Sequence, residues 1–129
     1  MPEMAIVVTP KIIGSICYQC AVTDEMVEDI LHTAFEVGIG EWCSAIVKVS
    51  PIHPSLHKSY PAEYLAKGGV LKLRADNVWY AMTLATFLSG MGRHCQEKGW
   101  PPEEMHEQHD CEDADIIVQY ALFGELRYA

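Results

Sequence analysis

A chain of 129 residues, 50% hydrophobic and 21% charged, is long enough for one folded domain and too apolar for a disordered segment. Its formal net charge of -9 repels phosphate backbones, so direct nucleic-acid binding is disfavoured unless a local basic patch overrides the field. No membrane span or secretory signal is expected, because apolar runs are short and no basic segment precedes one. Cys17, Cys20, Cys43, Cys95 and Cys111 make an odd number of cysteines, which fits free thiols in a cytosolic protein.

In chain order, Met4 to Pro10 and Ile12 to Val22 are rich in Ile and Val with Gly14 between, which predicts two short strands or one broken strand. Thr23 offers an N-cap, and Asp24 and Glu25 suit the positive end of a helix dipole. Met26, Val27, Ile30, Leu31, Ala34 and Phe35 then recur at helical spacing until Gly38, with Glu28, Asp29, His32 and Glu36 opposite. Glu41 to Ser50, with Trp42, Ile46, Val47 and Val49, reads as a strand. Pro51, Pro54 and Pro61 mark an irregular connection, and Glu63 to Lys67 suggests one helical turn closed by Gly68 and Gly69.

Val70 to Arg74 and Val78 to Met82 form a hairpin about an Ala75-Asp76-Asn77 turn, with Leu71 and Leu73 on one face and Lys72 and Arg74 on the other. Thr83 caps a second helix whose stripe is Leu84, Phe87, Leu88, Met91 and Cys95, ended by Gly99 and the Pro101-Pro102 pair. A third helix is expected from Glu112 or Asp113. One stripe holds Ala114, Ile117, Val118 and Ala121 and another Ile116, Tyr120 and Phe123, a girth that implies a central position. Gly124 stops it, and the tail to Ala129 reads as an edge strand, so the chain is expected to end inside packed structure. Residues 1–129 are therefore expected to form a single α+β domain, a small antiparallel or mixed sheet with about three helices packed on it.

Candidate chemistry is incomplete at each place it arises. Cys17-Tyr18-Gln19-Cys20 has metal-ligand spacing, and His94, Cys95, His106, His109 and Cys111 are further potential ligands. The motif lies in an Ile-rich stretch rather than at a helix N-terminus, and no second close pair matches it, so no metal site and no cofactor are assigned. Cys43 lacks an evident base, since His32 and His53 approach it only through an unknown fold. With no nucleophile elbow and no Walker A motif, no catalytic residue is assigned and the protein is read as a non-enzyme.

Two surfaces remain. Lys72 and Arg74 with Trp79 on the returning strand suit a nucleotide, cations holding phosphate while an aromatic face stacks a base. Trp42 is an alternative stacking residue and Arg93 an auxiliary cation. The same pattern also arises when strands simply turn cations outward and aromatics inward, or place Lys on an edge strand. Between Gly99 and Leu126 there is no Lys or Arg, whereas Glu103, Glu104, Glu107 and Asp110 lead an acidic strip suited to a basic partner, or to a solvated face and a helix cap.

Asp29 to Cys43, Gly68 to Leu73, Leu84 to Gly90 and Asp113 to Tyr128 carry a resemblance to a family of small uncharacterised proteins encoded by bacteriophages and mobile elements of gut bacteria. Its most distinctive mark is the ending Asp113-Ala114-Asp115 followed by Ile117 to Gly124. The resemblance spans about three quarters of the chain, counted from those anchors; the N-terminal Ile-rich segment and the Pro-rich 51–61 connection depart from it. It implies a phage or prophage accessory protein in the host bacterial cytosol, of the kind that counters host defence, and supplies no catalytic residues. The leading expectation is an anti-defence protein that sequesters a small nucleotide-type signal between subunits of a homo-oligomer. The alternative is an acidic inhibitor that mimics nucleic acid and binds a host defence nuclease through Glu103, Glu104, Glu107 and Asp110.

Overall fold

Thr23 opens the first regular element: its hydroxyl accepts from the Met26 amide at 3.3 Å, and helix α1 runs Asp24–Thr33. The computed structural model describes residues 10–16, 19–49 and 52–129. α1 passes into a π-helical turn, Ala34–Gly38, followed by strand β1 (Cys43–Lys48), a short 3-10 turn (Pro54–Leu56) and helix α2 (Pro61–Ala66). Strands β2 (Leu71–Ala75) and β3 (Val78–Met82) form the hairpin, and helices α3 (Leu84–Lys98), α4 (Pro102–Gln108) and α5 (Cys111–Phe123) complete the fold. The sheet is antiparallel throughout, in the order β1-β2-β3. The protein is thus α+β, with five α-helices among the described residues where about three were expected.

The hairpin follows from local chemistry. Asp76 and Asn77 both take positive φ, 49° and 62°, the two-residue geometry that matches the twist of the flanking strands and that Asp and Asn tolerate. Ala75 belongs to β2 instead of the turn. Leu71 and Leu73 are fully buried on the inner face, as the alternation predicted.

α5 is central. α3 lies along it closely enough that a Cβ on Gly90 would sit 2.6 Å from the Ile117 carbonyl oxygen, so only glycine fits that crossing. On another side the end of the π-helical turn meets the start of α5, where a Cβ on Gly38 would stand 2.8 Å from the Cys111 carbonyl oxygen. Ile30, Leu31, Leu65, Leu71, Leu73, Met82, Phe87, Met105, Ile117 and Val118 close the core between helices and sheet, each large side chain stabilising by roughly 1.5–3 kcal/mol through removal from water.

Five expectations are corrected. Residues 12–16 and 19–22 form no strand; Ile12 and Ile13 are 95% and 99% exposed, because among the described residues no neighbouring strand supplies a ladder, and Pro10 and Gly14 interrupt the run. Residues 4–9, Cys17 and Tyr18, which belong to the same expectation, lie outside the described residues. The C-terminal tail is not an edge strand either: the Gln119 side chain, not a neighbouring β-strand, holds its amides, with Oε1 accepting from Arg127 and Tyr128 N–H at 2.8 and 3.0 Å.

Pro101-Pro102 ends nothing by itself, since Pro102 is the first residue of α4 and proline at that position lacks only an amide that would be unpaired anyway. Finally, α5 starts at Cys111, one or two residues before the expected start, because Asp110 is the N-cap and forms a reciprocal capping box with Asp113. Leu88, expected on the buried stripe of α3, is 37% exposed while Phe87 and Met91 are buried. No helix among the described residues is long and apolar enough to cross a membrane.

Candidate functional site

The outer face of the sheet gathers three of the five predicted ligand-binding residues. In the antiparallel register Arg74 stands opposite Ala45 on one side and Trp79 on the other, and Lys72 stands opposite Val47 and Ala81. Directly paired residues share a face. Lys72, Arg74 and Trp79 therefore project together, with Ala45 and Ala81 as low ground between them. Val47 and Trp79 are each 44% exposed, and the helices pack against the opposite face, where Leu71 and Leu73 lie.

Within this face the Arg74 guanidinium lies 6.0 Å from the Trp79 ring and donates to Asn77 Oδ1 at 2.8 Å. Arg74 Nε is buried without a hydrogen-bond partner among the described residues. Lys72 is exposed and forms no ion pair among them. The arrangement offers a cation beside a flat π-surface with a second cation two residues along, which suits an anion attached to an aromatic ring. The surface is a shallow face and not an enclosed cleft.

Trp42 and Arg93 are held elsewhere by intramolecular partners. The Trp42 indole N–H donates to Asp115 Oδ1 at 2.7 Å, and its ring stacks on Tyr128 with 5.2 Å between centroids and planes 3° apart. Phe123 packs beside both. Arg93 lies 4.0 Å over the Tyr120 ring, donates to the Gly124 carbonyl at 2.7 Å and pairs with Glu97. It thus satisfies an end carbonyl of α5.

The acidic strip divides by role. Glu103, Glu104 and Glu107 are exposed on α4, whereas the Asp110 carboxylate accepts from the Asp113 amide at 2.9 Å as a helix cap. Alongside, His106 Nε2 of α4 lies 2.6 Å from Asp29 Oδ2 of α1, and with Glu25 these are the one group of three potential metal ligands among the described residues.

The other titratable candidates disperse. His109 contacts the Thr33 hydroxyl at 2.9 Å. His94 is buried, with Nε2 2.7 Å from Asp113 Oδ1 and Nδ1 without a partner among the described residues. Burial pushes the Asp113 carboxyl up, but hydrogen bonds from His94 and the Asp110 backbone, with the Lys98 ammonium 3.7 Å away, outweigh it and hold the group below its ordinary range.

Among the cysteines, burial pushes the Cys43 thiol up, and its sulfur meets the Ala45 carbonyl instead of His32 or His53. Cys20 and Cys95 line one cavity, and the Cys95 thiol is raised by burial and then by the nearby Cys20. Cys111 is exposed at the start of α5.

Sequence reasoning missed Gln119, which stands in an apolar stripe and is 1% exposed. Its Nε2 donates to Asp115 Oδ1 and the Tyr128 carbonyl. A polar residue among buried helical positions was the available signal, since such a group is retained only when its hydrogen bonds are met. Compared with models of protein families, with curated proteins and with solved structures, the chain matches none.

Proposed function

We propose that this protein is a non-enzymatic phage or prophage accessory protein that sequesters a small nucleotide-type signal on the outer face of its sheet. The observation that carries the reading is the cross-strand Arg74–Trp79 pair with exposed Lys72 on the same face. Phosphate sits between Lys72 and Arg74 while the base stacks on Trp79. A shallow face holds a ligand weakly by itself, so pairing of two such faces in a homo-oligomer supplies the second wall. Trp42 and Arg93 drop from the ligand set because each is engaged within the fold.

Titration of nucleotides, cyclic nucleotides included, against the full chain with thermal unfolding as the readout tests this reading. A raised midpoint is expected, and Trp79→Ala should weaken binding by roughly 1–3 kcal/mol, about 10- to 100-fold. No shift with any nucleotide overturns it.

A specific observation favours a second reading. The contact between His106 and Asp29 joins α4, which carries the exposed Glu103, Glu104 and Glu107, to α1 with its own acids Asp24, Glu25, Glu28 and Asp29. Such a surface fits a protein inhibitor that occupies the basic groove of a host defence nuclease. Charge reversal at Glu103, Glu104 and Glu107 would then abolish a salt-sensitive complex that Lys72→Ala leaves intact.

A further inference from the structure

The geometry points to a binding site for one divalent transition-metal ion of the zinc class on the seam between α1 and α4, with Glu25, Asp29 and His106 as its ligands. Glu25 and Asp29 stand four residues apart on α1, so their carboxylates lie one turn apart on a single face. His106 reaches that face from α4, 77 residues beyond Asp29, and its Nε2 lies 2.6 Å from Asp29 Oδ2. One donor atom from each of the three lies within 4.8 Å of the other two. Ligand atoms about 2.0–2.2 Å from a shared zinc ion stand about 3.4 Å apart in a tetrahedron, so side-chain shifts on the order of 1 Å complete the set. The two carboxylates are exposed and turn without disturbing the core.

Charge supplies the reason for an ion. Two carboxylates held this close repel each other, and Glu25 forms no ion pair among the described residues. A dication offsets both. The nitrogen donor then selects among cations: imidazole suits zinc, cobalt, nickel and copper, whereas magnesium and calcium take oxygen ligands. Binding needs Nε2 unprotonated, so the ion takes the place of a proton held between His106 and Asp29, and that proton passes to solvent. The seam is fixed beforehand by His109, whose Nε2 meets the Thr33 hydroxyl of α1 at 2.9 Å and whose Nδ1 meets the His106 carbonyl at 2.8 Å. Three protein ligands leave the remaining coordination to water, so the ion joins two helices and stays exchangeable. The site shares no residue with Lys72, Arg74 and Trp79 and stands apart from the nucleotide reading.

The full chain, stripped with a chelator and kept reduced, is titrated with zinc and, as a spectroscopic substitute, with cobalt(II). One zinc ion per chain should bind and raise the unfolding midpoint. Glu25→Gln, Asp29→Asn and His106→Ala should each weaken binding at least about tenfold. Glu104→Gln removes a charge two residues before His106, on the other side of α4, and should change binding less than about twofold. Cobalt should give ligand-field bands without thiolate charge-transfer absorption in the near ultraviolet. Circular dichroism of the metal-free variants checks that each remains folded.

A midpoint that does not move with zinc in excess overturns the proposal, as does a zinc ion that all three ligand variants bind like the wild type. A thiolate band that accounts for all of the bound cobalt overturns it too, because the ion then sits on cysteines. So does a Glu104→Gln variant that weakens binding as much as Glu25→Gln, which means that diffuse charge and not ligation holds the ion.

Discussion

Asp113 performs three tasks with one carboxylate. It accepts from the Asp110 amide at 3.1 Å, meets His94 at 2.7 Å and lies 3.7 Å from Lys98, while only 5% exposed. Its folded-state pKa lies below the ordinary value of 3.8, so its contribution to stability is complete above that value and is lost as pH falls through the folded pKa. Asp113→Asn should therefore lower the unfolding free energy at neutral pH by about 1–3 kcal/mol, because it weakens a buried charged hydrogen bond. The gap between variant and wild type should close toward the acid end of the range. Urea titrations from neutral to acid pH measure both curves, and a gap that stays constant contradicts this role.

The same residue shows what is legible locally. Asp113 is readable from sequence as an acid at a helix N-terminus, since capping needs only neighbours three residues away. Its contact with His94 is not, because the two meet only when α3 and α5 pack.

Among the elements, the α3–α5 crossing depends on Gly90. Alanine there gains helix propensity of about 1 kcal/mol, yet its Cβ would meet the Ile117 carbonyl at 2.6 Å and the Ala121 amide at 2.9 Å. Backbone atoms of a central helix cannot turn aside as a side-chain tip can. Gly90→Ala should be destabilising by about 1–3 kcal/mol, whereas a propensity-governed site would gain stability; chemical denaturation distinguishes the two by sign. The element boundaries divide in the same way. Thr23, Thr83 and the Asp76-Asn77 turn were visible because their hydrogen bonds and φ angles are set within four residues. α4 was missed because its seven residues follow two prolines that read equally well as a stop or a start. Residues 12–16 and 19–22 form no strand despite their Ile and Val, because β-propensity reports the fit to a sheet that must already exist beside it.

At the scale of the molecule, the C-terminal tail closes the sheet onto α5. Tyr128 stacks on Trp42 and donates to Asp76 at 2.5 Å, while Arg127 lies 4.5 Å over Phe123 and donates to the Tyr80 hydroxyl at 3.2 Å. The tail thereby joins the hairpin turn, the start of β1 and the end of α5. Tyr128→Ala should lower the melting midpoint by roughly 5 °C and shift Trp42 emission to the red as the indole meets water. A chain with Trp79 and Trp100 replaced by Phe isolates that signal, and unchanged emission contradicts the closure.

The distinctive segment from Asp113 to Tyr128 is consequently spent on architecture: Asp115 and Gln119 hold Trp42 and the tail, Tyr120 donates to Glu97, and Phe123 packs among Trp42, Tyr80 and Tyr128. The candidate ligand face lies on residues outside it.

The sequence alone determined the class of fold, the amphipathic helices, the hairpin and the outward pairing of Lys72 with Arg74, because caps, turns and period-two alternation act between near neighbours. Only the tertiary structure decided that Trp42 and Arg93 are held within the fold and that Ile12 and Ile13 are exposed. Those outcomes depend on partners tens of residues away, such as Asp115 for Trp42, whose identity is set by how helices and sheet pack together.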